Sequence, residues 1–263
     1  MILEQIIEHK KAEIELAKSQ LPIEQLQALI SRRKFAPRAF AKALSSGQAC
    51  APAIIAEVKK ISPSLGLLNE AFSLANLVSN YSDNGATCLS ILTDQKFFGG
   101  HLSDLKAARA LTDLPLLRKD FIIDEYQINQ SKLAGADAIL LIVNCLEEAV
   151  LANFMAIAND LAMEVIIEVH DQAELSLANR LKPTMIGVNN RNLKTMKIDL
   201  KQSLKLFSSI SKEAIAICES GISNLHDLKQ AIEAGYHHFL IGSSLVKSQD
   251  PGKLLKSFTS DIL

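Results

Sequence analysis

From residue 53 onward, short apolar runs alternate with longer amphipathic segments. Eight runs predict strands at 53–58, 87–92, 114–117, 138–143, 165–169, 185–188, 215–218 and 238–241. Strands that are apolar without interruption are typical of a parallel sheet buried on both faces. The runs recur about every 20–35 residues, close to the ~30 residues of one strand–helix unit. This pattern predicts an α/β protein built from a parallel sheet.

The segments between the strands have helical periodicity and suitable ends. They predict helices at 73–84, 103–111, 125–134, 146–161, 172–181, 200–210 and 225–234. Gly85, Gly135 and Gly235 stand where three of these helices should stop, and Asp171 and Ser223 where helix N-caps belong. Eight units favour a closed (β/α)8 TIM barrel. An open doubly wound sheet would more often carry a G-x-G-x-x-G turn after its first strand.

The first 52 residues follow a different pattern. Residues 2–19 predict an amphipathic helix, and residues 23–52 contain helical fragments without a strong strand. We therefore expect a single domain, with a helical extension over 1–52 and the barrel over 53–263. Apolar stripes usually pack against a core, so we assign no chemistry to this helix.

Composition limits the classes of function. The 263 residues are 48% apolar, enough for one large core, and the net charge of −1 gives no reason to expect nucleic-acid binding. The four cysteines lack C-x-x-C spacing, which predicts free thiols in a reducing compartment. No signal peptide or membrane-spanning run is found. We expect a cytoplasmic protein without a membrane partner.

Polar residues gather at the predicted strand ends, where (β/α)8 barrels place their catalytic groups. They are Glu57, Lys59 and Ser62 after the first strand, Thr93, Asp94 and Lys96 after the second, Arg118, Lys119 and Asp120 after the third, Glu168 and His170 after the fifth, Asn189, Asn190 and Arg191 after the sixth, Glu219, Ser220 and Gly221 after the seventh, and Gly242, Ser243 and Ser244 after the eighth. Glu57 and Lys59 point to the same side of their strand. Taken alone, that pair is equally consistent with a structural ion pair and with catalysis.

Seven segments together carry a family resemblance. AEVKKISPSLG, LTDQKFFGG, LLRKDFIID-x-YQI, IIEVHD, GVNNRNL, ESGI and IGSSLV resemble the successive strand-end motifs of the indole-3-glycerol phosphate synthases of tryptophan biosynthesis. The resemblance extends from the N-terminal helix to the last barrel helix. It implies the single-function form, without a fused isomerase or amidotransferase domain.

The resemblance implies a carboxy-lyase reaction and a set of catalytic residues. The substrate would be 1-(2-carboxyphenylamino)-1-deoxyribulose 5-phosphate, which closes to indole-3-glycerol phosphate with loss of CO2 and water. Lys119 would be the general acid, and burial or a nearby cation would lower its pKa. Lys59 would lie near the substrate carboxylate. Glu57 and Glu168 would stabilise a cationic intermediate and transfer protons. Asn189 would orient the substrate.

The resemblance also implies binding residues. Phe97 and Phe98 would offer apolar surface to the aromatic ring, and Arg191, Glu219 and Ser220 would contact the substrate. The phosphate would lie at the loops after the last two strands, the usual phosphate position in this fold. Its predicted ligands are Ser62, Gly221, Gly242 and Ser243. No cofactor or metal is implied, and we expect a monomer or a weak homo-oligomer.

Three alternatives stay open at this point. A phosphosugar isomerase of the same pathway would be expected to use a Cys/Asp pair, whereas this chain offers lysines and glutamates. An aldolase would form a Schiff base at Lys119. A catalytically inactive barrel would bind a ligand without turnover. The histidines lack metal-ligand spacing, and we expect His170 to act in a loop or behind the site.

Overall fold

The computed structural model describes residues 2–33, 36–46, 51–192 and 195–260, and eight parallel strands close into a barrel at its centre. The strands are β1 (Ala53–Val58), β2 (Ile61–Ser62), β3 (Gly66–Leu67), β4 (Cys88–Leu92), β5 (Leu116–Lys119), β6 (Ala138–Ile142), β7 (Glu164–Val169), β8 (Met185–Asn189), β9 (Ile215–Glu219) and β10 (His238–Ile241). Strands β2 and β3 form an antiparallel hairpin outside the barrel. Each barrel strand pairs with the next along the chain, and β10 closes onto β1, with Ala53 opposite His238. The predicted fold is confirmed.

Helices surround the barrel and connect its strands. They are α1 (Ile2–Gln20), α2 (Ile23–Arg32), α3 (Phe40–Ser45), α4 (Leu74–Asp83), α5 (Gln95–Phe98), α6 (Leu102–Leu111), α7 (Glu125–Ala134), α8 (Glu148–Asp160), α9 (Gln172–Leu181), α10 (Lys201–Leu206), α11 (Leu225–Glu233), α12 (Ser243–Lys247) and α13 (Pro251–Ser260). Asp171 caps α9 as predicted, but the N-cap of α11 is Asn224 and not Ser223. The Asn224 side chain accepts from two backbone N–H groups of the first turn, which secures that position.

The two-residue period of the strands separates two cores. In β1, Ile54 and Ala56 face the surrounding helices, whereas Ala53 and Ile55 belong to the core inside the barrel. The next residue of the inward series is Glu57, which lies at the carboxyl end of the strand. The same alternation operates in the neighbouring strands. It puts apolar layers in the lower part of the barrel and polar side chains at its upper mouth.

Helices α1 and α3, which precede β1, contact opposite ends of the barrel. Ile6 of α1 and Phe40 of α3 both join the core inside the barrel. At the lower end, the Cys88 thiol faces the Phe40 carbonyl, and the Glu164 carboxylate accepts a hydrogen bond from the Ala41 N–H. At the upper end, α1 borders the mouth. Cys50 lies outside the described residues, and Cys88, Cys145 and Cys218 are free thiols.

One predicted strand is displaced by two residues. The apolar pattern predicts 114–117, but β5 is Leu116–Lys119. The Leu114 carbonyl instead accepts a hydrogen bond from Arg109, in the turn that leads into the strand. Arg118 is tolerated inside the strand because its guanidinium is buried outside the barrel, where it donates to the Gln127 carbonyl and the Ser131 hydroxyl. A buried arginine without such partners would be costly.

Candidate active site

A cavity of about 300 Å³ occupies the upper mouth of the barrel. Most of the predicted site residues line it, although they come from distant parts of the chain. They are Glu57, Lys59, Phe98, Lys119, Glu168, Asn189, Arg191, Glu219, Ser220, Gly221, Gly242 and Ser243. Because the carboxyl ends of all barrel strands meet at this edge, residues separated by nearly two hundred positions converge on one space.

The first strand supplies an ion pair. Lys59 Nζ lies 2.5 Å from Glu57 Oε1, and both side chains are largely buried. Gly242, directly after the neighbouring strand β10, packs against Glu57 of this pair. A Cβ atom at position 242 would collide with Glu57 Oε1, so the position of the carboxylate requires glycine there.

The second charged group centres on Lys119. Its Nζ donates to Glu168 Oε2 at 2.9 Å and lies 3.6 Å from Glu219 Oε2. Burial works against the ammonium charge, but Glu168, Glu219 and Glu57 outweigh it and raise the pKa of Lys119. The expectation that the pKa of Lys119 is lowered is therefore wrong. The neighbours that decide the shift are carboxylates and not cations.

Glu168 and Glu219 differ although they share one ammonium. Burial opposes ionisation of both, but Lys119 and His170 keep the pKa of Glu168 well below its usual range. Neither Glu219 oxygen accepts a hydrogen bond from a cation among the described residues, and burial, followed by the neighbouring Glu168 carboxylate, raises the pKa of Glu219 to about 8. Two carboxylates with separated pKa values are what acid–base chemistry at one site requires.

A glycine makes room for the protonatable carboxyl. A Cβ atom added to Gly187 of β8 would collide with Glu219 Oε1. Any side chain at position 187 would therefore displace the Glu219 carboxyl from its observed position. This contact explains why the apolar run of β8 is interrupted by glycine, a feature to which the sequence pattern gives no meaning.

The loop after β8 holds Arg191 over the mouth. The Arg191 backbone N–H donates to Asn189 Oδ1 at 3.0 Å, and Arg191 Nη1 donates to the Ser64 hydroxyl at 3.0 Å and to the Met196 carbonyl at 3.2 Å. Ser64 belongs to the loop after β1. Arg191 thereby links two loops on opposite sides of the cavity, and several N–H groups of its guanidinium are left for a ligand.

The loop after β9 has an unusual backbone at the cavity wall. Ser220 and Gly221 adopt positive φ angles of 64° and 88°. For a residue other than glycine this costs about 1–3 kcal/mol, and such residues gather at functional sites. Ser243 begins α12 directly after β10, the strand that pairs with β9, and it also lines the cavity. The small residues after β9 and β10 that are predicted to hold phosphate therefore lie on neighbouring loops.

Two predicted residues do not line the cavity. Ser62 is buried in the β2–β3 hairpin, where its hydroxyl contacts Ser64 Oγ at 3.2 Å. Phe97 is turned toward α1 and meets the His9 ring edge-on, with ring centroids 6.1 Å apart. Phe98 does line the cavity and packs against Phe121. The hairpin and the short helix α5, which the apolar pattern does not reveal, set these directions.

Helix α1 contributes to the cavity, which its apolar stripe did not predict. Ile2, Leu3 and Ile6 form part of the cavity wall. On the same stripe, Lys10 is buried and lies 3.0 Å from Asp94 Oδ2 and 3.1 Å from Asp120 Oδ1. A lysine four residues after Ile6 and four before Ile14 was the available signal, since it interrupts an apolar stripe on the buried face.

The described part of the chain contains no group of three or more His, Cys, Asp or Glu side chains placed to hold a metal ion. None of its helices combines the length and the apolar character needed to cross a bilayer.

The fold and the site together define a class of protein. A (β/α)8 barrel with opposed lysines and glutamates at its mouth, and small residues after the last two strands, is an enzyme that acts on a phosphorylated small molecule. The sequence profile described as indole-3-glycerol phosphate synthase matches residues 3–258. The chain belongs to the indole-3-glycerol phosphate synthase family, whose members are carboxy-lyases of tryptophan biosynthesis.

Individual relatives agree with the family profile. An indole-3-glycerol phosphate synthase of Legionella pneumophila (strain Paris) is 44% identical over 260 residues, covering 99% of each chain. One of Polaromonas sp. (strain JS666) is 43% identical over 258 residues, covering 97% of this chain and 96% of the relative.

Solved structures support the fold alone. The N-acetylmannosamine-6-phosphate 2-epimerase of Clostridium perfringens superimposes with a TM-score of 0.60 at 12% identity, covering 88% of this chain and 99% of the epimerase chain. Thiamine phosphate pyrophosphorylase of Pyrococcus furiosus gives a TM-score of 0.60 at 14% identity, covering 86% of this chain and 100% of the other.

Proposed function

We propose that this protein converts 1-(2-carboxyphenylamino)-1-deoxyribulose 5-phosphate into indole-3-glycerol phosphate, CO2 and water. The observation that carries the proposal is the meeting of two lysine–glutamate pairs, Lys59–Glu57 and Lys119–Glu168, in one cavity. Ring closure needs a proton donor at the ketone, and the later loss of water needs a second acid and a base. We further propose a cytoplasmic, single-domain enzyme whose helical extension covers residues 1–52.

Ring closure is assigned to Lys119. The aryl carbon that bears the carboxylate attacks the ketone carbon, and the carbonyl oxygen takes a proton from the ammonium as charge develops on it. Because the pKa of Lys119 is raised, the ammonium is fully protonated in the free enzyme. An alkoxide is a stronger base than an amine, so the transfer runs toward oxygen. Glu168, whose Oε2 lies 2.9 Å from Lys119 Nζ, then stabilises the iminium cation that forms on ring closure.

Decarboxylation and dehydration complete the sequence. Loss of CO2 returns the bonding electrons to the ring, and the new hydroxyl then leaves as water. We assign Lys59 to the substrate carboxylate, because the ammonium lies at the cavity wall beside Glu57. Glu57 and Glu219 are the candidates for proton transfer during dehydration. Glu219 fits that role because its pKa of about 8 lets it hold and release a proton near neutral pH.

Binding is divided between two sides of the cavity. Phe98, together with the apolar residues of α1, is assigned to the aromatic ring, and Arg191 and Asn189 to the polar groups of the open-chain sugar. The phosphate is assigned to Gly221, Gly242 and Ser243, whose small side chains let backbone N–H groups approach an anion. Ser62 does not line the cavity, so we no longer count it among the phosphate ligands.

Replacing Ser243 with Asp is expected to raise the KM of the substrate at least about tenfold, because a carboxylate would repel the phosphate across a few ångströms. Ser243→Asn is the matched control, since it has the same shape without the charge. Steady-state kinetics give the KM of both variants. Equal KM values for Ser243→Asp and Ser243→Asn would show that the phosphate does not bind at Ser243. Gly242 is a poorer target, because a side chain there would displace Glu57 and change kcat as well.

The function as a whole is tested by a fluorescence assay for indole-3-glycerol phosphate formed from the synthetic substrate. Turnover is expected from the unmodified chain without added metal or cofactor. Ligand binding without turnover would instead favour an inactive barrel. The Schiff-base aldolase is disfavoured by the raised pKa of Lys119, since a nucleophilic lysine needs a lowered one. Borohydride in the presence of substrate should accordingly leave Lys119 unmodified.

A further inference from the structure

His170 occupies a position behind the catalytic groups that the proposed reaction does not use. It directly follows β7, and its side chain lies between two carboxylates. Nε2 faces Glu168 Oε1 at 3.3 Å, and Nδ1 faces Glu174 Oε2 at 3.0 Å. A neutral imidazole has only one N–H, so one of these nitrogens would direct a lone pair at a carboxylate oxygen. Only the protonated ring makes both contacts favourable, as a hydrogen bond from Nδ1 to Glu174 and as a charge contact between Nε2 and Glu168 that lies outside hydrogen-bond geometry.

The outer carboxylate is fixed in place by backbone contacts. Glu174 Oε2 also accepts a hydrogen bond from the His170 backbone N–H at 2.7 Å. The Glu174 N–H in turn donates to the capping carboxylate of Asp171 at 2.9 Å. On the other side of the loop, the Gln202 amide donates to the His170 carbonyl at 2.7 Å. The backbone of His170 is therefore held through both its N–H and its carbonyl, which fixes the start of the imidazole side chain.

The charged groups around the His170 ring favour its protonated, cationic form. Its direct neighbours are Glu168 from β7 and Glu174 from α9, and the Cys145 thiol lies near both carboxylates with a raised pKa that keeps it neutral. Burial alone would lower the pKa of His170, but the two glutamates raise it to about 10. Beyond Glu168 lie Lys119, Glu219 and Glu57.

We propose that His170 is a positioning residue for the reaction described above. As an imidazolium held between Glu174 and Glu168, it keeps Glu168 ionised and turns one carboxylate oxygen toward Lys119. The inference rests on the proposed function, because His170 affects the reaction only by positioning Glu168, the partner of the proposed acid Lys119. The two oxygens of Glu168 have different neighbours: Oε1 faces the His170 imidazole and Oε2 faces the Lys119 ammonium.

The arrangement also explains the contrast between the two carboxyls beside Lys119. Glu168 has two cationic neighbours, Lys119 and His170, whereas Glu219 has only the more distant contact to Lys119 among the described residues. Without the imidazolium, Glu168 and Glu219 would compete for one ammonium, and a proton would be shared between them. His170 thus determines which of the two carboxyls stays charged.

Replacing His170 with Gln tests the proposal, because the amide can still donate to Glu168 but carries no charge. The kcat of the variant is expected to fall about tenfold with KM within about twofold of the wild type. The acid limb of kcat/KM should move to higher pH by about one unit or more, since losing a neighbouring cation raises the pKa of Glu168. Glu174→Gln should move the limb in the same direction by less.

Controls separate this role from a structural one. His237→Gln makes the same change at an exposed residue that precedes β10, at the opposite end of the barrel, and should leave the pH profile unchanged. A merely structural His170 would lower stability without moving the acid limb. If the His170→Gln variant is active and the acid limb of its kcat/KM profile lies at the same pH as in the wild type, the proposal is wrong.

A second measurement does not depend on turnover. In the unliganded wild-type protein, the ring signals of His170 followed by NMR should stay those of an imidazolium past about pH 8. Titration of His170 near 6.5 would overturn the proposal even if the enzyme is active. If the wild type shows no turnover at all, the proposed function fails, and the NMR result still decides the charge of the imidazole.

Discussion

Replacement of Lys119 with Met is expected to lower kcat for indole-3-glycerol phosphate formation by about 10²–10⁴-fold, the usual contribution of a positioned acid. The thioether fills similar space but can neither donate a proton to the ketone oxygen nor balance Glu168 and Glu219. Because the aromatic ring and the phosphate are assigned to other residues, KM should change much less than kcat. Steady-state kinetics with the fluorescence assay measure both parameters.

The control for this experiment is Lys106→Met, the same change on the exposed face of α6. It should behave like the wild type. Circular dichroism should confirm that the Lys119 variant is folded, because losing the ammonium leaves buried carboxylates that must take up a proton. A kcat within about tenfold of the wild type in a folded Lys119→Met protein would contradict the role of Lys119 as the acid.

Replacement of Lys10 with Met is expected to destabilise the protein by about 3–5 kcal/mol, the cost of removing one partner from a buried ion pair. Lys10 Nζ lies 3.0 Å from Asp94 Oδ2, an oxygen with no other hydrogen-bond partner among the described residues, and 3.1 Å from Asp120 Oδ1. The ammonium holds α1 against the ends of β4 and β5. Ile2, Leu3 and Ile6 should therefore leave the cavity wall more readily, which would raise KM. Urea unfolding and substrate kinetics measure the two effects.

The adjacent Lys11 provides a closely matched control. Lys11 Nζ pairs with Glu8 at 3.6 Å, with both side chains largely exposed. Such surface pairs contribute at most about 1 kcal/mol, so Lys11→Met should change neither the free energy of unfolding nor KM appreciably. A double variant, Lys10→Met with Asp94→Asn, should recover part of the lost stability, because it no longer buries an unpaired carboxylate. Equal stability of the Lys10 and Lys11 variants would show that the buried cluster is energetically neutral.

Several features of the fold and site were accessible from the linear pattern. Strand period and helix period differ, so the alternation of apolar runs with amphipathic segments identified the units of the barrel. The barrel in turn placed Glu57, Lys119 and Glu168 at one mouth. Gly221 and Gly242 were predicted to lie at the same mouth because each directly follows a predicted strand, and both line the cavity.

Other features depend on contacts between residues far apart in sequence. The two-residue shift of β5 accompanies hydrogen bonds from the Leu116 N–H and from Arg109 to Asp137 Oδ2, which lies 21 and 28 residues further along the chain. Ser62 and Phe97 were predicted by position alone, and their directions are set by a hairpin and a short helix in the loops. The pKa of Lys119 was predicted with the wrong sign because its shift depends on which charges surround it.

The sequence by itself determined the order of the strands, the face at which ionic residues collect and the family to which the chain is similar, because all three follow from local periodicity and from motifs read along the chain. Only the tertiary structure decided which charges are neighbours: Lys10 with Asp94 and His170 with Glu168. Electrostatic energies depend on distance and burial, and neither quantity exists until the chain has closed into a barrel.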